Sequence, residues 1–130
     1  MADWSEVLER VRDEYTLDVE SPDEFAVTVS RGEGDAPRLQ RVIVRRYEAW
    51  GREMVEVRSA FGEIGDYDPQ GLLSDNLQLP IGAVALHEQF LVLVHKACLE
   101  DMSVEGVIYL VSRVSQVADI LEEQGGTDRF

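Results

Sequence analysis

The chain has 130 residues, a net charge of −14 and 45% hydrophobic residues. That length favours one domain with a real core, burying about two thirds of its unfolded surface, and the composition excludes a disordered acidic tail. The charge argues against nucleic acid and anionic membranes, which would repel the field of the whole protein. It suits a protein kept soluble by its acidity, or one with a basic partner.

A single cysteine, Cys98, rules out an intrachain disulfide and points to a reducing compartment. The opening Met1-Ala2-Asp3-Trp4-Ser5-Glu6 lacks the basic and apolar regions of a signal peptide. No apolar run approaches a membrane span of about 18 residues. These features predict an intracellular, cytoplasmic protein without membrane insertion. Neither an internal repeat nor a low-complexity segment is present.

The first predicted element is a helix near Asp3–Tyr15. Asp3 is placed to cap it, with Glu6 three residues on. Trp4, Val7, Leu8, Val11 and Tyr15 recur on one face. The helix ends before the turn cluster Ser21-Pro22-Asp23. Three strands follow. In the first, Phe25, Val27 and Val29 alternate with Ala26, Thr28 and Ser30. A loop over Arg31–Pro37 leads to a strand over Leu39–Tyr47, rich in β-branched residues. After the turn Trp50-Gly51-Arg52, the segment Met54–Phe61 puts Val55, Val57 and Phe61 on one face and Glu56 and Arg58 on the other. The short connections predict antiparallel hairpins.

Gly62–Asp68 reads as a loop. Asp68-Pro69 starts a short helix over Pro69–Leu77, with Asp as N-cap and Pro in the first turn. Gly82–Leu86 and Gln89–His95 then form a hairpin around His87-Glu88. The apolar run Phe90–Val94 does not alternate, so the pattern predicts a strand covered on both faces. The last element is a helix over Ser103–Gln124, capped by Ser103 and closed by Gly125-Gly126. The order α-β-β-β-α-β-β-α predicts an α+β fold, an antiparallel sheet with helices packed on it. Residues 1–124 form the expected domain and 125–130 a short flexible tail.

No residue set amounts to a catalytic, cofactor-binding or metal site. His87 and His95 stand eight residues apart across a hairpin, which is no metal-ligand spacing. Cys98 follows Lys96 but has no base or oxyanion site to serve it, so it reads as structural. Asp66, Asp68 and Asp75 lack the calcium-loop pattern, and Arg31-Gly32-Glu33-Gly34-Asp35 lacks a phosphate-binding motif. The chain therefore reads as a binding module rather than an enzyme, with no cofactor.

Two features bear on binding. Arg38, Arg41, Arg45, Arg46, Arg52 and Arg58 are six of the twelve basic residues, all in the middle hairpin. Cross-strand pairing with Glu48, Glu53 and Glu56 is the plain account. A docking patch for an acidic segment, with Arg41, Arg45, Arg46 and Arg58, is the sharper one. The second feature is apolar surplus. Leu72, Leu73, Leu77, Leu79, Ile81, Val84, Leu86 and the 90–94 run exceed what one small sheet face needs. Association and an ordinary core both account for it.

The element order resembles the class I chaperones of bacterial type III secretion (the Tir-chaperone family) and the related YbjN-like proteins. Leu72-Leu73-Ser74-Asp75-Asn76-Leu77 is similar to that family's L-L-x-x-N-L on the short middle helix, and Leu79-Pro80-x-Gly82 follows it. The strand Phe90–Val94 and a final helix carrying Val117-Ala118-Asp119 complete the likeness. The resemblance implies a homodimer joined around the middle helix and second hairpin, at Leu72, Leu73, Asn76, Leu77, Val84 and Leu86. It also implies apolar grooves that hold an effector or other client segment. A YbjN-like regulatory or structural dimer without an unfolded client is the alternative, and a small-ligand binder is a further one.

Overall fold

The computed structural model describes residues 2–31 and 38–125. Most of the expected loop over Arg31–Pro37 and nearly all of the expected tail lie outside the described residues. The order of elements is α1 (Trp4–Glu14), β1 (Thr16–Ser21), β2 (Glu24–Arg31), β3 (Arg38–Ala49), β4 (Arg52–Glu63), α2 (Pro69–Asp75), β5 (Ala83–His87), β6 (Phe90–Cys98) and α3 (Val104–Gln124). The six strands form one antiparallel sheet in the order β1-β2-β3-β4-β6-β5. The expected α+β architecture is observed, with one strand more than the sequence pattern predicted.

That strand is β1. Helix α1 stops at Glu14 because Tyr15 turns extended, at φ −133° and ψ 157°. The chain then pairs with β2, Leu17 opposite Val27 and Val19 opposite Phe25, with a register shift between Val19 and Ser21. Only two apolar residues alternate in Thr16–Ser21, which is why periodicity alone did not mark it. The helix itself begins as expected: Asp3 accepts a hydrogen bond from the Ser5 N–H at 2.9 Å. Asp68 differs from expectation. It has an extended cap backbone and Pro69 follows it, but its side chain makes no capping bond.

All three helices lie on one face of the sheet. Strand alternation sends Phe25, Val27, Val42, Val44, Val55, Val57, Phe61 and Leu93 to that face, where each is essentially inaccessible. Helix α3 crosses β2, β3, β4 and β6 there, burying Val107, Val111, Val114 and Ala118. Helix α1 adds Trp4, Val7 and Val11, with the Trp4 ring 5.2 Å from that of Phe25. Burying a leucine or phenylalanine stabilises by about 1.5–3 kcal/mol, so this layer is the main source of stability. A polar seam crosses it. Gln40 Nε2 donates to Ser59 Oγ and to the Ala60 carbonyl, both at 2.8 Å, and Ser59 Oγ donates to the Arg41 carbonyl at 2.7 Å. These bonds continue β3 to β4 beyond the last ladder pair, Ile43 with Arg58.

The opposite face carries Thr28, Ile43, Arg45, Arg58, Val94 and Lys96, all half-buried or exposed. The β3–β4 hairpin extends past the helices and ends in Trp50, fully solvent-exposed at 101% and at φ +52°. No helix among the described residues is long and apolar enough to cross a membrane.

Candidate functional site

The short helix α2 and the edge strand β5 hold the residues that the sequence marked for association. After α2 the chain makes a 3-10 turn, Asn76–Gln78, and reaches Gly82. Gly82 sits at φ +76°, and a Cβ there would lie 3.1 Å from the Val94 carbonyl and 3.2 Å from Leu93 Cγ. Only glycine fits such a backbone against the neighbouring strand. The Gly82 N–H donates to His95 Nδ1 at 3.1 Å. The Leu-Pro-x-Gly run is thus the hinge that lays β5 along β6.

Asn76 fastens the result. Its Oδ1 accepts from the Val84 N–H at 2.6 Å, and its Nδ2 donates to the Val84 carbonyl at 3.4 Å. Val84 pairs opposite Leu93 with its peptide groups turned away from β6. The asparagine therefore occupies one residue of the open sheet edge from within the same chain. An amide is suited to this because it offers a donor and an acceptor side by side.

The leucines divide. Leu72 is buried, as are Leu91, Val92 and Leu93. Leu79, Ile81 and Val84 pack partly against the core. Leu73, Leu77 and Leu86 remain 67%, 93% and 57% exposed. Between α2 and β5 lies an apolar groove of about 220 Å³ lined by Ile64, Pro69, Leu72, Leu73, Val84 and Leu86 among others. Of the six residues that the family resemblance marked for a dimer, Leu73, Leu77 and Leu86 present apolar surface. Leu72 belongs to the core, and Asn76 and Val84 bond to each other.

The six arginines also divide, by strand parity. Arg38 and Arg46 fall on the helix face. Arg38 holds Asp119 of α3 by two bonds of 2.8 Å, and its hydrogen bonds to Asp119 raise its pKa above the ordinary arginine value. Arg46 reaches Asp23 at 2.9 Å and Glu53 at 3.4 Å and lies over the Trp4 ring. Arg52 ties the hairpin to Glu100 and Asp101, and the Asp101 charge first of all raises its pKa. Arg41, Arg45 and Arg58 point to the opposite face. Cross-strand pairing with Glu53 and Glu56 is present, as the plain account expected. The cation set proposed for docking is not a single cluster, since Arg46 faces the other way.

The two histidines do not converge. His87 stands opposite Phe90 at the hairpin end, and His95 opposite Val57 on the helix face. Among the described residues, no group of three or more His, Cys, Asp or Glu is placed to hold a metal ion. Cys98 is half-buried and free.

The fold is a six-stranded antiparallel sheet with helices packed against it. No protein-family model matches the sequence, and no curated protein does. Among solved structures, a chain of the HopA1–SchA chaperone–effector complex is similar, at a TM-score of 0.61 and 12% identity over 95% of this chain and 99% of that one.

Proposed function

We propose that this chain is a non-enzymatic, homodimeric protein-binding module of the type III secretion chaperone kind, which holds or escorts a partner polypeptide in the bacterial cytoplasm. The observation that carries the reading is the exposure of Leu73 and Leu86 on the apolar groove between α2 and β5, with Leu77 exposed in the turn that follows α2. Large apolar side chains left exposed at and next to one apolar groove favour association. The similarity in fold to a chain of a chaperone–effector complex supports it. In this reading a second copy covers the leucines, residues 1–124 act as one domain, and other apolar surface serves the client. No covalent chemistry is required, because shape and apolar burial retain an extended chain.

Light scattering across a concentration series tests the dimer. A mass of two subunits is expected, and a strict monomer at high concentration would overturn this part. Native purification from the source organism tests the escort role. A partner bound in fixed ratio, with a protease-protected extended segment, is expected. Recovery as an empty dimer would favour the YbjN-like alternative.

A further inference from the structure

The sheet face away from the helices is organised around one carboxylate. Glu56 is buried, its side chain 7% exposed, in the middle of that face. Register places it between Arg45 of β3 and Lys96 of β6, with Arg58 two residues along its own strand. Arg45 Nη2 and Lys96 Nζ lie 3.4 Å and 3.8 Å from Glu56 Oε1, and Arg58 Nη1 lies 3.6 Å from Oε2. Three cations thus share one anion. The local surplus is positive on a chain whose net charge is −14.

Beside this cluster runs a groove of about 410 Å³ with Ile43, Ala60 and Val92 on its floor and Arg41, Arg58 and His87 on its rim. An apolar floor with a cationic rim fits an extended segment that turns both bulky apolar and acidic side chains toward the face. Because successive side chains of an extended chain point to opposite sides, such a segment carries apolar and acidic residues by turns at every second position, a repeat of four.

We propose that this face docks a short acidic, leucine-bearing segment of a partner polypeptide, with apolar side chains on the Ile43–Ala60–Val92 floor and carboxylates beside Arg58 and Lys96. This rests on the reading of the chain as a protein-binding module, but not on the dimer. The charge pattern selects a short segment over a long polyanion. At physiological salt, screening confines a ligand to charges within about 8 Å. A short acidic segment meets the cationic cluster, whereas a nucleic acid or anionic membrane also meets the acidic surroundings.

The probe is a fluorescein-labelled nonapeptide built on a repeat of two leucines and two glutamates, compared with its counterpart carrying lysines for glutamates by fluorescence anisotropy. The acidic peptide binds. Arg58→Gln and Lys96→Gln each weaken it by about fivefold or more, and raising salt from about 0.05 M to about 0.5 M weakens it by about tenfold. Arg113→Glu, on the exposed side of α3, leaves it unchanged. Equal binding of both peptides, indifference to both glutamine variants, or comparable binding of an oligothymidylate would overturn the inference. So would a higher-order mass at low salt that Arg58→Gln abolishes, because the occupant would then be another copy. Light scattering on the same samples separates the two proposals. A monomer that binds the acidic peptide loses only the dimer, and a dimer that ignores it loses only this docking face.

Discussion

Replacing Asn76 by alanine isolates the bond pair that pins β5. Two contacts are lost, the 2.6 Å bond from the Val84 N–H and the 3.4 Å bond to the Val84 carbonyl. The second is long and contributes little. Both residues are half-buried, so water replaces part of what is lost. A net hydrogen bond is worth about 0.5–1.5 kcal/mol, and a stranded donor adds to the cost. Together these give about 1–2 kcal/mol, felt at the sheet edge. Because about 1.4 kcal/mol is a factor of ten, the Val84 amide should exchange with solvent about 5–30 times faster, while amides of β3 and β4 change less. Asn76→Asp should recover part of this, since it keeps an acceptor for the N–H and lacks the donor. Residue-resolved hydrogen exchange is the assay. An unchanged Val84 rate in Asn76→Ala, or an equal acceleration throughout the sheet, would refute the clamp.

Leu77→Ser should leave the isolated subunit's stability within about 0.5 kcal/mol, because Leu77 is 93% exposed. If a second copy covers it, the same change should weaken the dimer by about 2 kcal/mol per copy in light-scattering titrations. Leu93→Ala, in the sealed core, should cost about 2–5 kcal/mol in urea unfolding. Tyr67 donates to the Leu121 carbonyl at 2.8 Å, and burial, then the Glu122 charge, raises its phenol pKa above 10.0. Its folded pKa exceeds its unfolded one, so its contribution is complete below about pH 10 and is lost as pH rises through the folded value. Tyr67→Phe should flatten the stability profile above that point in denaturant melts. Ser103→Ala removes the acceptor for the Gly106 N–H and should cost about 1 kcal/mol.

The sheet was legible wherever one face is sealed. Val55, Val57 and Phe61 alternate in the sequence and lie together under the helices because a slip of one residue would turn all three to solvent. β1 was not legible, because an edge strand with Thr16, Asp18 and Glu20 between two apolar residues looks like a polar connection. Glu56 took its place on the polar face as alternation required, but besides Arg58 on its own strand its burial depends on Arg45 and Lys96, which only the register brings to it. The division of the arginines was implicit in strand parity, with Arg38 and Arg46 at even positions of β3 and Arg41 and Arg45 at odd ones. What the parity could not give was their partners, since Asp119 lies 81 positions from Arg38. For the leucines, periodicity identified an apolar group but not which members the core absorbs. That depends on the angle at which Gly82 returns the chain.

The two tryptophans occupy opposite extremes. Trp4 is sealed beside Phe25 with its indole N–H donated to the Pro22 carbonyl at 3.1 Å, whereas Trp50 caps the hairpin tip in open water. Their emission therefore carries two separable signals without any label. The blue component disappears when α1 leaves the sheet, and the red component shifts only when something settles over the tip.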